Sequence, residues 1–106
     1  MYCYNLTFEN NAAVNGGACK ISGDNNVILN SVFKNNKATN NGGAIYLVSG
    51  SNSNISDCEF TANNASYGGA IYISVPYTVI SNCNFTRNTA NNNGGAIYIG
   101  TSNVNV

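Results

Sequence analysis

The triplet Gly-Gly-Ala recurs at Gly16-Gly17-Ala18, Gly42-Gly43-Ala44, Gly68-Gly69-Ala70 and Gly94-Gly95-Ala96, each copy 26 residues after the last. A chain with so strict a period folds as a stack of copies, because every copy meets its neighbours in the same way. A second marker, Phe-x-x-Asn-x-Ala, alternates with the first and begins at Phe8, Phe33, Phe60 and Phe85. These phenylalanines are 25, 27 and 25 residues apart, so one-residue slips are expected in the loops while the glycine frame holds.

Behind the glycine pairs the chain reads Ala-Cys-Lys-Ile-Ser, Ala-Ile-Tyr-Leu-Val, Ala-Ile-Tyr-Ile-Ser and Ala-Ile-Tyr-Ile-Gly, which are alternating, β-branched strand sequences. The slot that holds Tyr46, Tyr72 and Tyr98 holds Lys20 in the first copy, and a lysine does not point into a core. The tyrosines therefore face out. The flanking slots, Cys19/Ile45/Ile71/Ile97 and Ile21/Leu47/Ile73/Ile99, face in. A second apolar stretch puts Cys3, Ile28, Ile55 and Ile80 in one slot. Two places on stand Asn5, Asn30, Asp57 and Asn82, residue types that tolerate the left-handed conformation of a sharp bend. A third strand follows, with inward slots Leu6/Ser31/Cys58/Cys83 and Phe8/Phe33/Phe60/Phe85.

A unit with three short strands, no helical periodicity and about six inward side chains cannot make a core alone. The expected fold is all-β: a parallel β-helix, or solenoid, of about four coils with three short strands each. Coils 16–41, 42–67 and 68–93 lie between partial coils 1–15 and 94–106 in a single domain, 1–106. With a climb of one strand spacing per coil, ~4.8 Å, the stack is roughly 20 Å tall. Asn fills 23 of 106 positions, and its amides, stacked in turn slots, would form hydrogen-bonded ladders. The glycine pair marks a corner where positive φ or close approach bars a Cβ.

Composition narrows the function. Four Lys/Arg balance four Asp/Glu, only 8% of residues are charged and there is no His. That disfavours a nucleic-acid groove and an anionic membrane surface, both of which need clustered cations. The longest apolar run, Ala44–Val48, is far short of the roughly twenty residues that span a bilayer, so no membrane insertion by this segment is expected.

The alternation of Gly-Gly-Ala-Ile with Phe-x-x-Asn over essentially the whole chain resembles the repeat of the polymorphic outer-membrane proteins and of the adhesin-like surface proteins of methanogenic archaea. The resemblance implies a right-handed, pectin lyase-like parallel β-helix on a cell-surface or secreted protein of adhesive role. It brings no catalytic residues. The chain departs from that family in carrying no signal peptide, barrel or anchor. It begins inside a second strand and stops where the next should start, which reads as an internal fragment, a short open reading frame or a designed array.

Each candidate for chemistry has a plainer reading. Cys19, Cys58 and Cys83 fall in inward slots, with Cys58 and Cys83 stacked in neighbouring coils. Buried free thiols are favoured over a Cys58–Cys83 bridge, and both over a metal site, since the spacing matches no zinc pattern. The Gly pairs lack the lysine of a phosphate loop and the aspartate of a calcium roll. Asp57 and Glu59 are the one close carboxylate pair, but they occupy a turn slot and an outward slot. Sequons at Asn5, Asn54, Asn64 and Asn84 are as frequent as chance provides. No catalytic residue, metal or cofactor is expected.

The expected function is a non-catalytic structural or adhesive repeat at the cell surface or outside the cell. Its partner would be a host or neighbouring-cell surface protein or glycan. Alternatives are a saccharide-binding module and a polysaccharide-degrading enzyme fragment. The outward Tyr46, Tyr72 and Tyr98 are the candidate partner-binding residues, against a plainer role as an aromatic ladder between strands. The uncapped ends predict end-to-end association of the isolated chain.

Overall fold

The computed structural model describes all 106 residues, and they form seventeen short strands with no helix. The first coil comprises β1 (Tyr2–Tyr4), β2 (Thr7–Glu9), β3 (Ala12–Asn15) and β4 (Cys19–Ile21). The second comprises β5 (Val27–Leu29), β6 (Val32–Lys34), β7 (Lys37–Asn41) and β8 (Ile45–Leu47). The third comprises β9 (Asn54–Ser56), β10 (Glu59–Thr61), β11 (Asn64–Tyr67) and β12 (Ile71–Ile73). The fourth comprises β13 (Thr78–Ser81), β14 (Asn84–Thr86), β15 (Thr89–Asn93) and β16 (Ile97–Ile99), and β17 (Val104–Asn105) opens a fifth. Every fourth strand pairs in parallel, giving the sheets β1-β5-β9-β13-β17, β2-β6-β10-β14, β3-β7-β11-β15 and β4-β8-β12-β16. The chain is thus a solenoid of about four coils at the expected period. Its shortest dimension is 21 Å.

Each coil has four strands where three were expected. The additional one is the Asn-x-Ala segment, whose polar, broken alternation hides it: in β7 only Ala38 points firmly into the core. This third sheet also carries one of the register slips. Lys37–Asn41 and Thr89–Asn93 have five residues opposite the four of Asn64–Tyr67, so the pairing shifts by a β-bulge. The other slip lies in a corner, where Leu47 to Asn54 is one residue longer than Ile21 to Val27.

Each coil turns through four left-handed residues. Asn5, Asn30, Asp57 and Asn82 have φ of 58°, 49°, 55° and 51°, as their turn slot predicts. Two further columns do the same: Asn10/Asn35/Ala62/Arg87 and Asn25/Asn52/Tyr77/Asn103. Eight of these twelve residues are Asn, the type that reaches this region at least cost after glycine. The fourth corner belongs to the glycine pair, whose two members have different tasks. Gly42 takes φ 66°, while a Cβ on Gly43 would stand 2.0 Å from the Gly69 carbonyl oxygen of the next coil. That close approach keeps the ladder running around the corner, where Gly43 N–H donates to Gly68 O at 3.1 Å.

Inside, like stacks on like. Ile28, Ile55 and Ile80 form one buried column, Ile45 and Ile71 a second, and Ile21, Leu47 and Ile73 a third. Phe8, Phe33, Phe60 and Phe85 stack with centroids 4.8, 4.8 and 4.9 Å apart and planes within 5°. Leu6, expected inward, is 44% exposed, although Ser31 and Cys58 in its column are buried. It lies in the first coil, with no coil beneath it.

The Asn of each Phe-x-x-Asn marker also points inward, a placement the turn-slot account of Asn did not foresee. Asn36 and Asn63 are fully buried. The Asn63 Oδ1 accepts from the Asn36 backbone N–H at 3.0 Å and from Asn36 Nδ2 at 3.0 Å. Its Nδ2 donates to Phe33 O at 3.0 Å and to Asn88 Oδ1 at 2.9 Å. Asn36 repeats the pattern between Asn11 and Asn63. Both amides use all four of their hydrogen-bonding positions.

Two outcomes test this description. Ile71→Ala should lower unfolding free energy by about 2–5 kcal/mol and Tyr72→Ser by much less, because only Ile71 leaves a cavity. Urea denaturation that reverses the order would invert the inside/outside assignment. Ala62 holds φ 56° without the local polar side chain that eases it in Asn10 and Asn35. Ala62→Asn should therefore stabilise the fold by about 0.5–1 kcal/mol, read from the same curves.

Candidate functional site

The outer face of the fourth sheet carries a column of tyrosines. In-register pairing of Ile45–Leu47, Ile71–Ile73 and Ile97–Ile99 places Tyr46, Tyr72 and Tyr98 in one outward column, and all three are half-buried. The rings pack on one another. Tyr72 and Tyr98 stack at 4.7 Å with planes 15° apart, and Tyr46 meets Tyr72 edge to face at 5.1 Å and 84°. Tyr67, which did not figure among the candidate residues, joins from the end of β11 and meets Tyr98 at 5.6 Å and 72°. It occupies the slot before the glycine pair that Asn15, Asn41 and Asn93 fill in the other coils, so its place beside the column follows from the repeat frame. Burial pushes the Tyr72 phenol up from its ordinary value, and the neighbouring Tyr98, Tyr46 and Tyr67 add to the rise.

This geometry bears on what the column can hold. A sugar ring or flat partner stacks on an open aromatic face. On Tyr72 one face is covered by Tyr98 and the contact with Tyr46 occupies the other side. What remains outward is ring edge and hydroxyl, a surface suited to hydrogen bonding. The arrangement fits the aromatic ladder, in which cross-strand ring contacts hold neighbouring strands together.

A shallow cleft of ≈ 240 Å³ lies at the corner between the first two sheets, away from the tyrosine column. The turn column Asn30, Asp57 and Asn82 forms one side of it, and Val32, Glu59 and Asn84 form the other. The cleft thus brings Asp57 and Glu59 to one place, but both side chains are exposed. Ser31 and Cys58 complete the lining, and the amides of Asn30, Asn82 and Asn84 with the Ser31 hydroxyl make the cleft polar and hydrogen-bonding in character.

The four cysteines are free, with Cys3, Cys19 and Cys58 buried and Cys83 half-exposed. Burial pushes the Cys19 thiol up to about 12 and raises Cys3 as well. The glycine corners at Gly17, Gly43 and Gly69 are closed by neighbouring backbone, with a Cβ on Gly17 meeting the Gly43 and Lys37 carbonyl oxygens at 2.1 and 2.7 Å, while Gly95 in the last coil faces open space. All eight charged side chains, Glu9, Lys20, Asp24, Lys34, Lys37, Asp57, Glu59 and Arg87, stand exposed on the outside.

A search of the curated proteins returned no match to the chain, and neither did a search of the solved structures. A family model described as a right handed beta helix region matches residues 1–106. The match takes in every coil and every column described above, and the chain belongs to the family of right handed β-helix regions.

Proposed function

We propose that the chain is a non-catalytic structural and adhesive repeat segment of a cell-surface or secreted adhesin-like protein. The observation that carries this reading is the division of labour between the two sides of the coil. Inward positions repeat from coil to coil, as Phe8/Phe33/Phe60/Phe85 do. Their outward neighbours Thr7/Val32/Glu59/Asn84 change character at every step. The repeat is spent on stacking, and the outside is a rigid display surface on which ionisable groups are scattered and solvated. The likeness of the paired motifs to adhesin-like repeats points the same way, and surface or extracellular location comes with that likeness.

Beads coated with the chain should adhere to cells through a surface protein or glycan, with no saccharide cleavage. Release of reducing ends from a polysaccharide would overturn the reading in favour of an enzyme fragment. Binding on a glycan array that is lost in Tyr72→Ser, with circular dichroism unchanged, would make the chain a saccharide-binding module. In the isolated 106-residue chain, β2, β3 and β4 at one end and β14, β15 and β16 at the other have a free edge. Such edges pair readily, and few charges oppose it. Light scattering should report head-to-tail oligomers that a polar capping coil abolishes. A persistent monomer at high concentration would contradict that expectation.

A further inference from the structure

Cys58 and Cys83 occupy the same inward column, one residue ahead of the in-register pair Glu59↔Asn84 in adjacent parallel strands. Their side chains point the same way: Cys58 Sγ lies 3.1 Å from Ser56 O and Cys83 Sγ 3.2 Å from Ser81 O. Each sulfur also reaches back to the coil below, 3.7 Å from Ile28 O and from Ile55 O respectively. The two thiols differ in access, since Cys58 is buried and Cys83 is half-exposed.

We propose that Cys83 and Cys58 form a redox modification site, in which Cys83 reacts with a hydroperoxide and Cys58 resolves the product into a reversible disulfide between the third and fourth coils. The Cys83 thiolate sulfur attacks the outer peroxide oxygen and the O–O bond breaks. Sulfur is oxidised by two electrons to the sulfenic acid, and the peroxide is reduced to an alkoxide, or to hydroxide in the case of hydrogen peroxide, which takes a proton from solvent and leaves as the alcohol or water. The Cys58 sulfur then attacks the Cys83 sulfur, the S–S bond forms, the S–O bond breaks, and the departing hydroxide takes up the Cys58 proton as water.

Selectivity follows from the same contacts. The neighbouring Cys58 lowers the Cys83 thiol below its ordinary value, against opposing burial and the nearby Asp57, and the same neighbour contact together with burial raises Cys58. Cys3 and Cys19 are held in the thiol form by burial. Cys83, the half-exposed thiol of the pair and the one whose pKa is lowered, is therefore the nucleophile. Residues paired across parallel strands have Cβ atoms about one strand spacing apart, ~4.8 Å, wider than the 3.5–4.5 Å usual for a disulfide. Closing the bond draws the two coils together, and a bond formed under such tension is readily reduced.

Serine makes conservative variants here, because Ser31 sits in the same column and donates to Leu29 O at 2.9 Å as the cysteines donate to Ser56 and Ser81. After hydrogen peroxide treatment of the folded chain, two of its four thiols should resist alkylation under denaturing conditions, and peptide mapping should join Cys58 to Cys83. Dithiothreitol should restore all four. Cys58→Ser should stop at a sulfenic acid on Cys83 that dimedone captures, and Cys83→Ser should lose no thiol. The proposal is overturned if peroxide leaves all four thiols intact in the folded wild type, if the bond joins other cysteines or two chains, or if Cys83 sulfenic acid accumulates although Cys58 is present.

Discussion

The amide ladder of Asn11, Asn36, Asn63 and Asn88, buried at Asn36 and Asn63, sets the terms for the rest of the structure. An amide carried into an apolar interior costs several kcal/mol unless its hydrogen bonds are replaced. Here they are replaced in full, but only in one register: Asn63 bonds Asn36 below, Asn88 above and the Phe33 carbonyl across the corner. A slip of one residue would leave donors and acceptors buried and unpaired. Hydrophobic columns tolerate approximate alignment, whereas the amide ladder does not. The ladder also explains the neighbouring turn, since the left-handed residue just ahead of it, Asn35 or Ala62, lets an inward Asn follow directly on an outward strand end.

Once register is held there, the other columns fall into place. The phenylalanine rings stack at the strand spacing because the backbone sets that spacing. The glycine pair sits at a corner where adjacent coils touch through their backbones, and Gly43 is as much a requirement of the neighbouring coil as of its own. Outside, no such constraint operates. Side chains there vary from coil to coil, and this freedom makes a β-helix a scaffold for display. The Tyr72–Tyr98 stack is the exception, since its rings are spent on each other.

Much of this was legible before any coordinates. Lys20 in the slot of Tyr46, Tyr72 and Tyr98 was enough to orient the glycine-proximal strand, and the structure buries Ile45 and Ile71 accordingly. The bend at Asn30 and Asp57 followed from residue type alone. The fourth strand was hidden because its inward side chains are Ala38 and Ala65, which give no hydrophobic alternation to read. The buried ladder was hidden for a related reason. An Asn near a corner faces either way, and only three-dimensional stacking shows that Asn36 and Asn63 turn in while Asn35 and Asn64 do not. Of the candidate site, the tyrosine column could be placed from the repeat frame, but ring orientations, which decide whether a face is open, depend on χ angles the sequence does not carry.

The most direct test of the ladder's primacy is the urea unfolding free energy of Asn63→Leu beside that of Asn64→Leu in dilute solution. Leucine at 63 keeps the branching of the side chain but strands the Asn36 N–H groups and the Phe33 carbonyl, and the loss should be about 3–5 kcal/mol. At the adjacent outward position the change should stay within about 1 kcal/mol. Equal costs at the two positions would show that apolar stacking alone holds the coils in register, and would contradict the account.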